Sequence, residues 1–349
     1  MILGDAEYFV VLDHIADVDR KSEVSRLKNQ IESSLVQHGL GCSVSLAIAD
    51  ASFFRSLRPH IFAYELRNYG KAVFGDTVVF DLIPQFSVAD IPLEDGWRLL
   101  ANRLAEQLEI LATADSASAK LSGALLYRTV KLYLDMTTSY LLFSGQYEPS
   151  YRARCEQLRS LAAEQRANHA PFDVQQFANQ VEACTAWKIS PCAESEPGQG
   201  WTFWLSSHHY ASRLWNWEMS RLMGTSLAAG SDTLVLPSGR KQSITTKLRG
   251  WAYVVREAGW LETRKRWATW LAQASASSPR YRVYAAAAEL YSLMPAILTG
   301  ELEPSKTVER IRAIQTWLPI PDSETNGDWR DLARAIGTNY HRFLENTRA

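Results

Sequence analysis

The sequence predicts an α+β protein that is mostly helical, with a small N-terminal α/β domain on a large α-helical body. Within the first 76 residues, stretches with the two-residue alternation of strands alternate with stretches of helical periodicity. Beyond Pro92 the apolar residues recur mainly at helical spacing. All but one of the twelve tryptophans lie at or after Trp187. We therefore predict domains at 1–90, 91–192 and 200–349, with a linker at 191–200.

The N-terminal domain is predicted to follow the order strand, helix, strand, helix and short strand. Asp19 or Ser22 can cap the first helix, and Gly39 and Gly41 can end it. Five apolar residues of that helix recur at helical spacing, which gives it one buried face. The predicted ranges are 4–12, 23–38, 42–48, 53–70 and 71–76.

The rest of the chain is predicted to be a series of helices. Helical spacing of apolar residues predicts helices at 96–111, 120–143, 148–165, 172–187, 202–223, 244–258, 261–274, 280–298, 306–318 and 329–345. The stretch 232–240 contains an apolar run followed by Pro-Ser-Gly, which indicates a small hairpin or a loop.

Composition excludes several classes of protein. The chain has 37 basic and 38 acidic side chains and a net charge of -1, so no overall field favours nucleic acid, although a local basic patch remains possible. No apolar run reaches the ~18 residues of a membrane span, and the sequence predicts no membrane partner. The four cysteines form no Cys-x-x-Cys pair, which favours reduced thiols. We predict a cytoplasmic protein.

Asp5 and Glu7 are two carboxylates one residue apart in the first predicted strand. Because alternate side chains of a strand point to one face, both carboxylates are predicted to face the same way. Mg²⁺ takes one or two carboxylates and completes its shell with water and phosphate oxygens. The pair is therefore a candidate Mg²⁺ site for phosphoryl or nucleotidyl transfer.

Two stretches resemble the nucleotidyltransferase domain of the DNA polymerase beta superfamily. They are G-D-A-E-Y-F-V-V at 4–11 and the segment 61–76, which ends in G-K-A-V-F-G-D. In that family an acidic pair on a strand holds Mg²⁺. The resemblance implies transfer of a nucleoside monophosphate from a nucleoside triphosphate to a hydroxyl acceptor, with Mg²⁺ as cofactor and with Asp5 and Glu7 as the metal ligands and catalytic residues.

The chain departs from the family pattern in two respects. The family places a Gly-Ser turn before the acidic pair to hold the triphosphate, and no residue precedes Met1 here. The family's third carboxylate lies on a following strand, where this chain offers Ser43 and Ser45. We therefore expect weak or absent transfer. We also expect that the chain is an incomplete reading of a longer gene, or that a protein partner or second copy covers the first strand.

A second resemblance lies in the predicted helices. The stretches 127–134 and 141–154 are similar to the helical domain that follows nucleotidyltransferase domains in bacteria and archaea, broadly a HEPN-like bundle. Such a domain walls one side of the nucleotide cleft. The resemblance implies that Lys131, Arg152 and Arg154 contact the phosphates of the nucleotide. Basic residues of this kind also occur on solvated helix faces, and the sequence leaves both roles open.

Two other kinds of function remain open. A non-catalytic binding or regulatory protein would use the N-terminal domain as a scaffold and the tryptophan-rich helices to hold a partner. RNA binding would use tryptophans beside cations, as at Trp267 and Trp270 next to 264–266. HEPN-type cleavage would use an Arg–His pair such as Arg334 and His341. Tryptophans at helical spacing more often fill a core, and short Arg–His patterns recur by chance.

Overall fold

The computed structural model describes residues 5–12, 19–38, 43–114, 120–164, 170–191, 196–198, 200–224, 243–320 and 327–346. Over these residues the protein is mostly helical, with a two-stranded parallel sheet near its N-terminus. The predicted α+β class with dominant helices is thus confirmed. No helix in these ranges has the length and apolar character needed to cross a membrane. The predicted hairpin or loop at 232–240 lies outside the described residues.

The N-terminal elements are β1 Asp5–Leu12, α1 Asp19–Gln37, β2 Ser43–Asp50, α2 Ala51–Arg55 and α3 Ile61–Tyr69. The sheet pairs strand β1 with strand β2, and helix α1, which connects them, packs against β2. One face of the sheet contacts the short helices α2 and α3. There the ring of Phe9 in β1 packs on Phe53 at a centroid distance of 5.9 Å and on Phe62 at 5.6 Å.

The predicted helix over 53–70 is divided in two. Pro59 lies in the break between α2 and α3, and proline disfavours helical backbone at the residue before it and supplies no N–H. His60 then caps α3, since its Nδ1 accepts a hydrogen bond from the N–H of Ala63 at 3.1 Å. The division therefore follows from local chemistry that helical spacing alone does not show.

The predicted short strand over 71–76 is wrong. Residues 73–75 form a bend, residues 71, 72 and 76 have no regular secondary structure, and the side chains are exposed by 80% at Val73 and fully at Phe74. Gly75 has a φ of 87°, which ends any extended run. Within the described residues, the sheet consists of β1 and β2.

Nine longer helices form the body. They are α4 Leu93–Leu111, α5 Gly123–Phe143, α6 Tyr151–Ala163, α7 Val174–Ile189, α8 Gly200–Met223, α9 Ile244–Ala276, α10 Pro279–Thr299, α11 Pro304–Gln315 and α12 Trp329–Asn346, all within the described residues. Helix α9 contains a break at Gly259, whose φ is 73°. This break separates the two helices that the sequence predicts at 244–258 and 261–274.

Helix α4 lies at the centre of the body and packs against α5, α8, α10 and α12. Its Trp97 is fully buried and contacts the ring of Trp215 at 5.3 Å. At Gly96 a Cβ atom would lie 2.8 Å from Ser139 Oγ, so the close approach of α4 to α5 requires a glycine. The core also crosses the predicted linker, because Tyr133 stacks on Phe203 of α8 at 5.3 Å.

The α/β unit is joined to the body by a small apolar cluster. Ile91, Leu142 and Tyr147 are buried there, with Ile61 and Tyr64 of α3 packed against them. Two 3₁₀ turns, Thr77–Leu82 and Val88–Asp90, connect α3 to α4. This joint fixes which side of α3 faces the helical body.

Candidate functional site

Glu7 lies in β1 on the face that points toward α3. In the parallel register Asp5 is paired with Ser43 and Glu7 with Ser45. The side chain of Glu7 is exposed, and it follows the same alternation as Phe9, which packs on α2 and α3. The side chain of Asp5 lies outside the described part of the structure. Ser43 and Ser45 lie on the strand where the family resemblance predicts a third carboxylate. They are thus direct cross-strand neighbours of the acidic pair.

Glu65 of α3 is the carboxylate that connects this strand to the helical body. It accepts a hydrogen bond from the hydroxyl of Tyr147 at 2.5 Å and one from Arg154 Nη2 at 3.2 Å. Burial raises the pKa of Glu65, and the charges of Asp135 and Glu7 act in the same direction, while Tyr147 and Arg154 oppose the rise. Glu7 is therefore close enough to Glu65 for the two carboxylates to repel each other.

Arg154 is buried, and its guanidinium is bound by groups of the protein. It donates hydrogen bonds to the carbonyl oxygen of Pro149 at 2.7 Å, to Thr138 Oγ1 and to Glu65. It also lies over the ring of Tyr151, 4.9 Å from its centroid. These contacts tie α6 to α5 and α3, so that Arg154 holds the joint between the body and the α/β unit.

Replacement of Arg154 by methionine is expected to destabilise the protein by about 2 kcal/mol. The substitution leaves Glu65 half-buried without its cation, and breaking such a pair costs more than the pair itself contributes. Urea denaturation followed by circular dichroism measures the change. Arg152→Met is the matched control, because Arg152 is exposed and lies two residues before Arg154 in α6, and we expect a change below about 0.5 kcal/mol. Equal losses in both variants would contradict the structural role of Arg154.

Lys131 of α5 and Lys188 of α7 meet at one tyrosine. The Lys188 ammonium donates a hydrogen bond to the hydroxyl of Tyr127 at 2.7 Å and lies 4.6 Å from its ring centroid. The Lys131 ammonium lies 5.8 Å from the same centroid. Both lysines are half-buried, so the two charges are concentrated at one place on the helical body. Of the three predicted phosphate contacts, Lys131 alone lies in this pair.

We call the surface between this lysine pair and β1 the polar seam. It is made up of Glu7, Glu65, Tyr151, Asp135, Tyr127, Lys131 and Lys188. Partial burial and the charge of Asp135 raise the pKa of Tyr151 to about 12, with smaller contributions from Glu65 and Tyr127. Tyr151 is thus influenced by three other members of the seam, while the charge of Arg154 lowers its pKa. Arg103 of α4 pairs with Asp135 at 2.6 Å and fixes that carboxylate.

The donor chemistry of the strand end suits Mg²⁺. Glu7 is an exposed carboxylate with a serine beside it in the register, and hard oxygen donors of this kind are the ligands that Mg²⁺ prefers. In the described residues no group of three or more His, Cys, Asp or Glu forms a ready metal site. A carboxylate pair would therefore have to share the ion with water and substrate oxygens.

The histidines of the short Arg–His pairs are bound to other groups of the protein. Arg334 pairs with Asp331 at 2.6 Å, and His341 Nε2 lies 3.1 Å from Glu109 Oε2. The chain also has Arg55 and His60 five residues apart, and His60 caps α3. These contacts give each histidine a structural partner.

Most of the tryptophans at helical spacing are in the core, as their spacing predicts. Trp204, Trp215, Trp251 and Trp270 are buried, whereas Trp267 is 53% exposed. The stretch that mixes cations with aromatic side chains thus contains one core tryptophan and one surface tryptophan. The side chain of Trp260 lies outside the described part of the structure.

Several residues of the seam are absent from the sequence-based prediction. Asp135 follows Lys131 by four residues and Tyr127 by eight, so helical spacing could have placed all three on one face of α5. Lys188 and Glu65 come from other helices, and no local pattern connects them to Lys131.

Comparison of the chain with protein-family models, curated proteins and solved structures finds no match.

Proposed function

We propose that this chain is a nucleotidyltransferase-like protein that binds a nucleoside triphosphate with Mg²⁺ and transfers its nucleoside monophosphate to a hydroxyl acceptor weakly or not at all. The observation that supports this most is the polar seam, which has a carboxylate on a strand at one end and two lysines at the other. A Mg²⁺ triphosphate needs both kinds of group, because carboxylates hold the metal and cations hold the phosphate oxygens.

The residues take separate roles in this proposal. Asp5 and Glu7 are the Mg²⁺ ligands, and the metal, when bound, would neutralise charge on the phosphates and polarise the reacting phosphorus. Lys131 and Lys188 hold the phosphate oxygens. Arg154 keeps Glu65 in place and, through the joint, sets the distance between the strand and the lysines.

Weak transfer is proposed because of the serines beside the acidic pair. Ser43 and Ser45 occupy the cross-strand positions next to Asp5 and Glu7. A serine hydroxyl is a poor proton acceptor near neutral pH, so it does not replace a carboxylate as general base for the attacking hydroxyl. The same observation favours a second candidate function, in which the α/β unit binds nucleotide or serves as a scaffold and the protein regulates a partner without catalysis.

Nucleotide binding is expected to depend on Mg²⁺ and on both ends of the seam. Equilibrium dialysis with each radiolabelled nucleoside triphosphate should show binding that Glu7→Gln and Lys131→Ala each weaken about tenfold, equivalent to ~1.4 kcal/mol. Glu23→Gln, an exposed acid on α1, is the control and should bind as the wild type does.

A transfer assay on the same proteins separates the two candidate functions. Product above background that requires Mg²⁺ and is lost in Glu7→Gln supports the weak transferase, whereas Mg²⁺-dependent nucleotide binding without product supports a regulatory protein that binds nucleotide. Absence of nucleotide binding would leave the scaffold function. Robust transfer that Glu7→Gln leaves unchanged would contradict the assignment of β1 as the metal site.

A further inference from the structure

Helix α9 is a hairpin of two antiparallel arms, 244–258 and 260–276. Gly259 makes the turn with a φ of 73°. The arms contact each other along their length, since Lys247 Nζ donates to the carbonyl of Ser275 at 3.0 Å and the rings of Trp251 and Trp270 lie 6.3 Å apart. Two helices held together in this way leave a groove on each side.

One side of the hairpin is attached to the body. Gln273 donates to the carbonyl of Thr316, which follows α11, at 3.1 Å. Tyr253 packs edge-on against Phe343 of α12 at 5.5 Å. The groove on this side is therefore filled by the protein itself.

The opposite groove is lined by exposed apolar side chains. Successive residues of a helix are 100° apart around its axis. In the first arm, Tyr253 therefore faces the body, Trp251 faces the other arm, and Leu248 lies beyond Trp251 on the solvent side. In the second arm, Gln273 faces the body, Trp270 faces the first arm, and Trp267 lies beyond Trp270 on the solvent side. The side chains on the solvent side are exposed by 74% at Ile244, 65% at Leu248, 37% at Val255, 53% at Trp267 and 53% at Leu271. Each arm thus contributes an apolar stripe to the outer groove.

The hairpin is also strongly basic. Residues 243–276 contain six cations and two acids, although the whole chain has a net charge of -1. The cations are Lys247, Arg249, Arg256, Arg264, Lys265 and Arg266, and the acids are Glu257 and Glu262. A second copy of this surface would be repelled, so the charge argues against a dimer through two such grooves.

We propose that the outer groove of α9 binds an acidic amphipathic helix of a partner protein. The first stripe runs from Ile244 to Val255, about 16 Å along the helix axis, which matches three turns of a partner helix. Leucine-like side chains of that helix would fill the groove, and its acidic residues would face the flanking cations. Single-stranded nucleic acid fits less well, because base stacking uses aromatic rings and Trp267 is the one exposed ring among the described hairpin side chains.

The test uses the full chain and two fluorescein-labelled peptides of 18 residues. One peptide has leucine on one helical face and glutamate on the other, and the second replaces every glutamate by lysine. Fluorescence anisotropy should show at least about tenfold tighter binding of the acidic peptide. Leu248→Gln and Leu271→Gln should each weaken it about tenfold, since each removes a leucine from a buried contact. Arg264→Glu should weaken it as well.

Leu205→Gln is the matched control, because Leu205 is 37% exposed and belongs to α8, which is not part of the hairpin. Its affinity for the acidic peptide should equal that of the wild type. The proposal is overturned if the acidic peptide does not bind, if both peptides bind equally, or if Leu248→Gln and Leu271→Gln have no effect. It is also overturned if a 20-nucleotide oligouridylate, or vesicles of phosphatidylcholine with phosphatidylserine, bind the protein more tightly than the acidic peptide does and lose affinity in Leu248→Gln and Leu271→Gln.

Discussion

The wild-type protein is expected to become less stable as the pH rises from about 5 to about 8, and replacement of Glu218 by glutamine is expected to abolish this pH dependence. Glu218 in α8 is fully buried, and its Oε1 accepts a hydrogen bond from Ser139 Oγ at 2.5 Å. Among the described residues its Oε2 has no hydrogen-bond partner. Burial raises the pKa of Glu218 to about 8, because the ionised carboxylate loses its hydration, and the Ser139 hydrogen bond opposes this only in part.

The direction of the pH dependence follows from this raised pKa. In the unfolded chain the carboxyl group titrates near its ordinary pKa of 4.5, so the folded state binds more protons between the two values. The stabilising effect of the protonated acid is complete below about pH 4.5 and is lost as the pH rises through about 8. The loss amounts to roughly 4 kcal/mol at the upper end of this range.

Urea denaturation of both proteins at pH 5, 6.5 and 8 measures the effect. Glutamine keeps the size of the side chain and an acceptor for Ser139 but does not ionise, so Glu218→Gln should be more stable than the wild type at pH 8. Glu309→Gln, at an exposed position on α11, should keep the wild-type pH dependence. An unchanged pH dependence in Glu218→Gln would show that Glu218 is already ionised in the folded protein.

Replacement of Trp97 by alanine is expected to lower the free energy of unfolding by about 3–5 kcal/mol. Trp97 is fully buried in α4 and contacts Trp215, Tyr281 and Tyr284 with ring centroids 5.3, 5.2 and 5.5 Å away. Its removal takes a large apolar surface out of the core and leaves a cavity among three helices. Because those helices lie on both sides of the predicted linker, the loss should extend to the whole helical body.

Urea denaturation followed by tryptophan fluorescence and by circular dichroism tests this expectation. The two signals should shift together in Trp97→Ala, since one core joins α4 to α8 and α10. Trp267→Ala is the control, because Trp267 is 53% exposed, and its effect should stay below about 1 kcal/mol. Two separate unfolding transitions, of which the substitution shifts only one, would instead support the predicted division into domains at 91–192 and 200–349.

Much of the helical body could be predicted because helices depend on local chemistry. Ser122, Ser150 and Asp173 each cap a helix by accepting a hydrogen bond from the N–H three residues later. The break of α9 at Gly259 is likewise a local property. The failed strand at 71–76 shows the limit of such patterns. Val73 and Phe74 have strand-like character, but a strand forms only where a neighbour pairs with it.

The candidate site could be predicted only where one element supplies the residues. The two-residue period of a strand places Asp5 and Glu7 on one face, and the position of β2 brings Ser43 and Ser45 beside them. The environment of Arg154 could not be predicted in this way. Its ion-pair partner Glu65 lies 89 residues earlier in the chain.

By itself the sequence determined the helical character of the body, the strand that holds Asp5 and Glu7, and the mixture of cations and tryptophan in α9. These depend on interactions between residues a few positions apart. Only the tertiary structure decided that Arg154 is bound by the protein, that Lys188 joins Lys131, and that Trp267 is exposed while Trp270 is buried. The physical reason is that burial and charge pairing depend on which helices pack together, and the spacing of residues within one helix does not specify its neighbours.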